Sequence, residues 1–229
     1  IENILNRSIS DLKTMMMNKE INRLRKEYLS GSLDENEIDK DPMIQFESWF
    51  LQAVTAGLPE PNAMVLATSG SSGRVSSRVV LLKGIEEGRF LFFTNYESRK
   101  GQQLAENPQA SLLFFWKELE RQVRVEGTVK KYPRKKSVDY FNQRPMESRI
   151  SALISPQSAV IPDRMFLEAM WQGAMLDLAG KEPECPGNWG GFQLKPDLIE
   201  FWQGRENRLH DRIQFTQSRG RWMSERLAP

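Results

Sequence analysis

Cysteine and histidine are almost missing from this chain: its 229 residues include one of each, Cys185 and His210. One thiol cannot form an internal disulfide. One thiol and one imidazole cannot build a Cys/His zinc site or a two-histidine iron triad within the chain, so no metal is expected. Long apolar runs are missing as well. Stretches such as Leu112–Trp116 fall far short of the roughly 20 residues a membrane span needs, and no membrane partner is expected. Charge of one sign is also lacking. The 32 Lys and Arg against 30 Asp and Glu leave a net +2, which gives no pull toward nucleic acid. Neither G-x-G-x-x-G nor G-x-x-x-x-G-K occurs, which leaves nucleotide triphosphates without a foothold. No G-x-S-x-G elbow supports a Ser–His–Asp hydrolase. The single thiol suits a reducing, cytoplasmic compartment. The chain opens on Ile1 rather than Met, so a trimmed chain is expected and loss of a targeting segment stays open.

What remains is an ordinary globular composition, 39% hydrophobic and 27% charged, with room for one sizeable core. Residues 1–40 read as a polar, partly flexible N-terminal arm, with a helix expected over Asp11–Leu29. A single domain is expected over 41–229. Asp41-Pro42 signals a helix start, and Met43, Phe46, Phe50 and Val54 follow at helical spacing. From Ala63 to Lys130 the apolar period becomes two. Strands are expected at Met64–Thr68, Val75–Leu82, Phe90–Thr94, Ser111–Trp116 and Val123–Lys130, with a short helix capped by Ser98. Helical character returns over 133–180, broken at Pro145, Pro156 and Pro162, with Asp163 as a cap. Gly187–Gly191 reads as a loop. Phe192–Leu194, Ile199–Gln203 and Arg212–Thr216 read as closing strands. Strands this short and frequent favour an antiparallel barrel over a doubly wound sheet: mainly β with helices, an α+β chain.

The candidate chemistry is cationic. Arg78 and Lys83 lie five apart on one expected strand, hence on opposite faces if that strand is regular. Arg99-Lys100 opens a helix, where free N–H groups also favour an anion. Arg121-Gln122 precedes a strand. Tyr140, Arg144 and Ser148 recur every four residues, a phosphate clamp if one helix runs through Pro145. Arg208–Arg212 surrounds the only histidine. Each has a plainer reading. A basic pair at a helix start is more often solvated than ligated, the Tyr140–Arg144–Ser148 spacing alone is more often a surface accident, and Trp202 is more often core. The cluster Lys130, Lys131, Arg134, Lys135 and Lys136 reads as a solvated face. Together the cations suggest one or two phosphorylated small ligands.

Several segments resemble the pyridoxine (pyridoxamine) 5′-phosphate oxidase family. They are Ser77-Arg-Val-Val-Leu-Leu-Lys-Gly84, Phe93-Thr-Asn-Tyr-Glu-Ser-Arg-Lys-Gly101, and Phe115-Trp-Lys-Glu-Leu-Glu-Arg-Gln-Val-Arg-Val-Glu-Gly127. Tyr140-Phe-Asn-Gln-Arg-Pro145, Ser155-Pro-Gln-Ser158, Trp189-Gly-Gly191, Glu200-Phe-Trp-Gln-Gly204, Arg208-Leu-His-Asp-Arg212 and Glu225-Arg-Leu-Ala-Pro229 follow in order. The resemblance implies an FMN-binding split β-barrel that forms a homodimer with FMN at the interface. It implies an oxidase that turns pyridoxine and pyridoxamine 5′-phosphate into pyridoxal 5′-phosphate with O2, releasing H2O2, and NH3 from the amine. FMN would be held by Arg78, Val79, Val80, Leu81, Phe93, Thr94, Arg99, Lys100, Gln122, Gln157, Ser158, Trp202 and Arg212. Substrate would be held by Lys83, Tyr140, Arg144 and Ser148, with Arg208, Leu209 and His210 over its ring. Arg208 and His210 would be the catalytic pair. Arg25, Lys26, Glu27 and Tyr28 would close over the ligand. A non-oxidase FMN-binding relative and a pyridoxal 5′-phosphate carrier remain as alternatives. Nucleic-acid binding rests on the 130–136 cluster alone and is not expected.

Overall fold

The computed structural model describes residues 16–21, 23–24, 27–29 and 31–229. Within the expected helix over 11–29, residues 16–21 and 23 are helical and 27–29 are not. Arg25 and Lys26 lie outside the described residues. The arm's root joins the core, with Leu33 and Ile38 buried.

Helix α1 (Pro42–Thr55) starts where its chemistry demands. The Asp41 side chain accepts from the Met43 N–H, and Pro42 takes the first turn, where its missing N–H costs nothing. The buried face is Phe46, Trp49 and Ala53, while Val54 is exposed. Met43 and Phe50 pack against the core as expected and only Val54 does not, with Phe46 at the centre of the stripe, edge-on against Phe90 and Phe114, each 4.9 Å away.

Nine antiparallel strands form one curled sheet: β1 (Ala63–Ser69), β2 (Val75–Leu81), β3 (Gly84–Glu86), β4 (Arg89–Asn95), β5 (Gln109–Trp116), β6 (Arg121–Lys131), β7 (Trp189–Gln203), β8 (Asp211–Ser218) and β9 (Arg221–Arg226). The order runs β2-β1-β5-β6-β7-β4-β3, with β8 on β7 and β9 on β8. This is the expected split barrel. Alternate residues of β1, β5 and β6 point inward: Met64 and Leu66, Leu112 and Phe114, Val123, Val125 and Val129.

Three differences from the sequence reading concern strands. β7 is one strand rather than two segments after a loop. Its first half pairs with β4, its second with β8, and β6 runs along both. The register shifts at Glu126/Gly127, so Pro196 is absorbed in a bulge. β3 has three residues and β9 is mostly exposed, so neither carries a readable alternation. β2 stops at Leu81, before Lys83.

Helix α2 (Arg99–Glu106) is capped by Ser98, whose hydroxyl accepts from the Gly101 N–H. The chain between β6 and β7 forms α3 (Arg134–Asn142), α4 (Met146–Ile154) and α5 (Arg164–Leu178). Pro145 ends any continuous helix through Tyr140, Arg144 and Ser148, so that i, i+4, i+8 alignment does not form. α5 is capped by Asp163 as expected but buries no residue within the chain. The basic cluster is mostly employed. Arg134 donates to the Trp189 and Cys185 carbonyls, Lys136 pairs with Glu86, and Lys131 lies over the Tyr96 ring. Among the described residues, no helix is long and apolar enough to cross a membrane.

Candidate functional site

A cavity of about 330 Å³ gathers side chains from six separate stretches of chain. β2 supplies Arg78, Val79, Val80 and Leu81, and the turn beyond it supplies Lys83. β4 supplies Phe93 and Thr94, and α2 supplies Lys100. Tyr140 and Arg144 come from α3 and its exit, Gln157 from the loop after α4, and Trp189 from the start of β7. Because β2 ends at Leu81, Arg78 and Lys83 open into the same cavity rather than onto opposite sides of the sheet.

The cations are held by neutral oxygens. Arg78 donates to the Leu66 carbonyl (3.1 Å), the Thr68 hydroxyl (2.6 Å) and the Ser76 hydroxyl (2.6 Å). Lys100 Nζ donates to Thr94 Oγ1 (3.1 Å), Ser98 Oγ (3.2 Å) and Gln157 Oε1 (2.8 Å). Among the described residues, no carboxylate pairs with Arg78, Arg99 or Lys100. Burial, and then the charge of Arg99, push the Arg78 guanidinium below its ordinary value. Burial, and then Arg78, bring Lys100 down to about 8. Cations crowded together without a counter-charge make a site that an anion would relieve. Ser158, beside Gln157, sits at φ +76°, a costly conformation for a residue with a side chain.

The cavity's other wall is aromatic. Tyr140 stacks on Phe93 at 3.9 Å, and Phe93 stacks on Trp189 at 5.3 Å. Arg144 Cζ lies 4.7 Å over the Trp189 ring. Burial pushes Arg144 below its ordinary value, and its Nη1 is buried without a hydrogen-bond partner among the described residues. Ser148, displaced by the Pro145 break, is not on this wall. Trp189 belongs to a quoted motif but was not among the expected site residues. Its signal was its place beside two glycines, where an added Cβ at Gly191 would meet Tyr132 at 2.8 Å.

The remaining candidates form a second group outside this cavity. Gln122, Trp202 and Arg212 face one another in register across β6, β7 and β8. Arg212 Nε donates to Glu200 Oε1 (2.7 Å), and Arg124 holds the other oxygen. Burial pushes the Glu200 carboxyl up, but the hydrogen bonds from Arg212 and Arg124 outweigh it and hold it below the usual range. His210 lies 4.7 Å from the Trp202 ring, and Tyr28 meets both edge-on. His210 Nδ1 accepts from the Arg205 N–H, which leaves a neutral ring with its proton on Nε2. Burial, and then Arg208, push the imidazole below its ordinary value. Arg208 and Leu209 are exposed, and Arg208 follows Asn207 in the left-handed region at φ +62° and +55°. Glu27 is exposed.

Residues 50–173 match the family model described as pyridoxamine 5′-phosphate oxidase. Residues 189–229 match that of the pyridoxine 5′-phosphate oxidase C-terminal dimerisation region. The chain is 56% identical over 207 residues to a pyridoxine/pyridoxamine 5′-phosphate oxidase of Paraburkholderia phymatum, covering 90% of this chain and 97% of the relative. Among solved structures it is similar to PhzG from Burkholderia lata in complex with tetrahydrophenazine-1-carboxylic acid. The TM-score is 0.80 at 30% identity, over 87% of this chain and 100% of that one. A pyridoxamine 5′-phosphate oxidase-related, FMN-binding protein from Nostoc punctiforme shares the fold with a TM-score of 0.66 at 18% identity, over 82% and 98% of the two chains.

Proposed function

The chain belongs to the pyridoxamine 5′-phosphate oxidase family, and on that premise we propose that it oxidises pyridoxine 5′-phosphate and pyridoxamine 5′-phosphate to pyridoxal 5′-phosphate. In this reading FMN is the cofactor, O2 the final acceptor and H2O2 a product, with NH3 released from the amine. The observation that carries it is the cavity where Arg78, Lys83, Lys100 and Arg144 converge without a carboxylate among the described residues to neutralise them.

The residues fit an FMN phosphate. Arg78, Arg99 and Lys100, with the Thr94 hydroxyl and Gln157, would hold it, since the desolvated Arg78 and Lys100 regain stability beside a dianion. FMN held there would supply the two-electron redox chemistry that links oxidation at the substrate's 4′ carbon to O2. Lys83, Tyr140 and Arg144 would bind the substrate phosphate, with Ser148 beyond the Pro145 break. Fixing that remote dianion orients the ring and lowers the entropic part of the barrier. Gln122, Trp202 and Arg212 would meet the flavin from a partner subunit. Arg208 and neutral His210, donating through Nε2, would cover the substrate. The second group lies outside the cavity of its own chain, and residues 189–229 match a dimerisation region, which supports a site shared between two copies.

The test is aerobic turnover of pyridoxine 5′-phosphate with added FMN, following aldehyde and peroxide together. Equimolar aldehyde and peroxide are expected. Absence of aldehyde in protein whose spectrum shows bound flavin overturns the oxidase reading.

A further inference from the structure

Arg144 is an arginine in a cavity wall with no acidic partner among the described residues. It is positioned instead by an aromatic face. Its guanidinium carbon stands 4.7 Å above the Trp189 ring and 5.9 Å from Phe141. Trp189 is itself held from several sides. Its carbonyl accepts from Arg134 Nη1 at 2.7 Å, its N–H donates to the Pro186 carbonyl at 3.1 Å, and its ring stacks on Phe93 and meets Phe141 edge-on. The indole is buried and cannot easily turn away.

We propose that Trp189 is a positioning residue for the phosphorylated substrate: its π face orients the Arg144 guanidinium while leaving its N–H donors free. The choice of partner matters physically. A carboxylate would orient the arginine equally well, but it would neutralise the charge and occupy the donors that a phosphate must take. An indole attracts a cation through its quadrupole and accepts none of those donors in the ring plane. The buried, unpartnered Nη1 is what such an arrangement leaves behind. This inference rests on Arg144 binding the substrate phosphate, so the experiment includes a variant that tests that role by itself.

Steady-state kinetics on FMN-loaded enzyme would compare wild type, Trp189→Leu, Trp189→Phe, Arg144→Ala and the double variant Trp189→Leu/Arg144→Ala. Trp189→Leu is expected to raise KM for pyridoxine 5′-phosphate about tenfold with kcat within about twofold. Trp189→Phe, which keeps a weaker π face, should raise KM about two- to threefold. Either change should add nothing to KM once Arg144 is alanine, because the indole then has no cation to hold. Should Trp189→Leu fail to retain flavin, Trp189→Phe alone and combined with Arg144→Ala carries the same test. An unchanged KM in the Trp189 variants while Arg144→Ala raises it overturns the inference and leaves the phosphate role of Arg144 standing. An equal rise in the Arg144→Ala background marks Trp189 as merely structural and also overturns it. An unchanged KM in Arg144→Ala overturns both.

Discussion

Lys100 is a lysine whose charge change is brought down toward neutral pH. Burial, and then Arg78, hold its pKa at about 8 against an ordinary 10.5. Between those values the folded chain binds fewer protons than the unfolded one. This group therefore makes the ligand-free chain more stable as pH rises through that window, and penalises it below about 8. An anion beside the ammonium reverses the balance, because it favours the protonated form. FMN affinity is therefore expected to fall as pH rises past about 8. Flavin fluorescence titrations at several pH values should show that fall in wild type, and its absence in Lys100→Met would tie it to this side chain. Arg212 offers a second test at this scale. It bridges Glu200 and the Ala228 carbonyl and faces Trp202 in register. Arg212→Trp deletes the charge and inserts bulk beside another indole. At least about a tenfold rise in the FMN dissociation constant is expected; unchanged affinity and turnover would remove Arg212 from the flavin site.

Among the elements, β7 does most to shape the molecule, because it serves two sheet halves in succession. It does so through a bulge that only glycine permits. A Cβ at Gly127 would stand 2.1 Å from the Lys195 carbonyl oxygen and 2.9 Å from Pro196 Cα, both backbone atoms that cannot swing aside. Gly127→Ala is therefore expected to destabilise the fold by about 2–3 kcal/mol, read as a lower urea midpoint at constant m. The sequence reading split β7 at this point because a proline and a polar stretch look like a loop in one dimension. A bulge in β7 itself, where Asp197 lies between Pro196 opposite Gly127 and Leu198 opposite Glu126, absorbs them, and it forms only against distant β6. Helices were more legible. Caps at Asp41, Ser98 and Asp163 lie where expected, since capping is a contact over two or three residues and is written locally. The break at Pro145 was also visible. What could not be read is that Arg144 would still reach the cavity after the break while Ser148 would not.

For the whole molecule, the division of candidates into two groups has a direct consequence. If each complete site combines the cavity of one copy with the Trp202–His210–Arg212 group of another, two impaired variants should rescue each other. Arg144→Ala and Arg212→Trp, each impaired alone, would be unfolded, mixed in equal amounts and refolded with FMN. Half the dimers would be mixed, and each would hold one intact site and one doubly altered site. About a quarter of wild-type activity is expected at substrate and FMN concentrations too low to serve either variant alone. Activity no greater than the mean of the two variants would place the whole site within one chain.

The sequence by itself determined the broad class, most strands, three helix caps and the family motifs. These depend on period, local capping and composition, which act between near neighbours. It also excluded a disulfide and an internal Cys/His metal site by simple count. Only the tertiary structure decided which cations share a cavity, that Arg78 and Lys83 open to the same side, and that Arg134 and Lys136, on the exposed face expected of them, also moor α3 to the sheet. Only there does Trp189, 45 positions beyond Arg144 in the chain, become the surface on which that guanidinium rests. Such contacts join residues whose separation along the chain leaves no periodic or local signal, and they exist only once the sheet has closed around them.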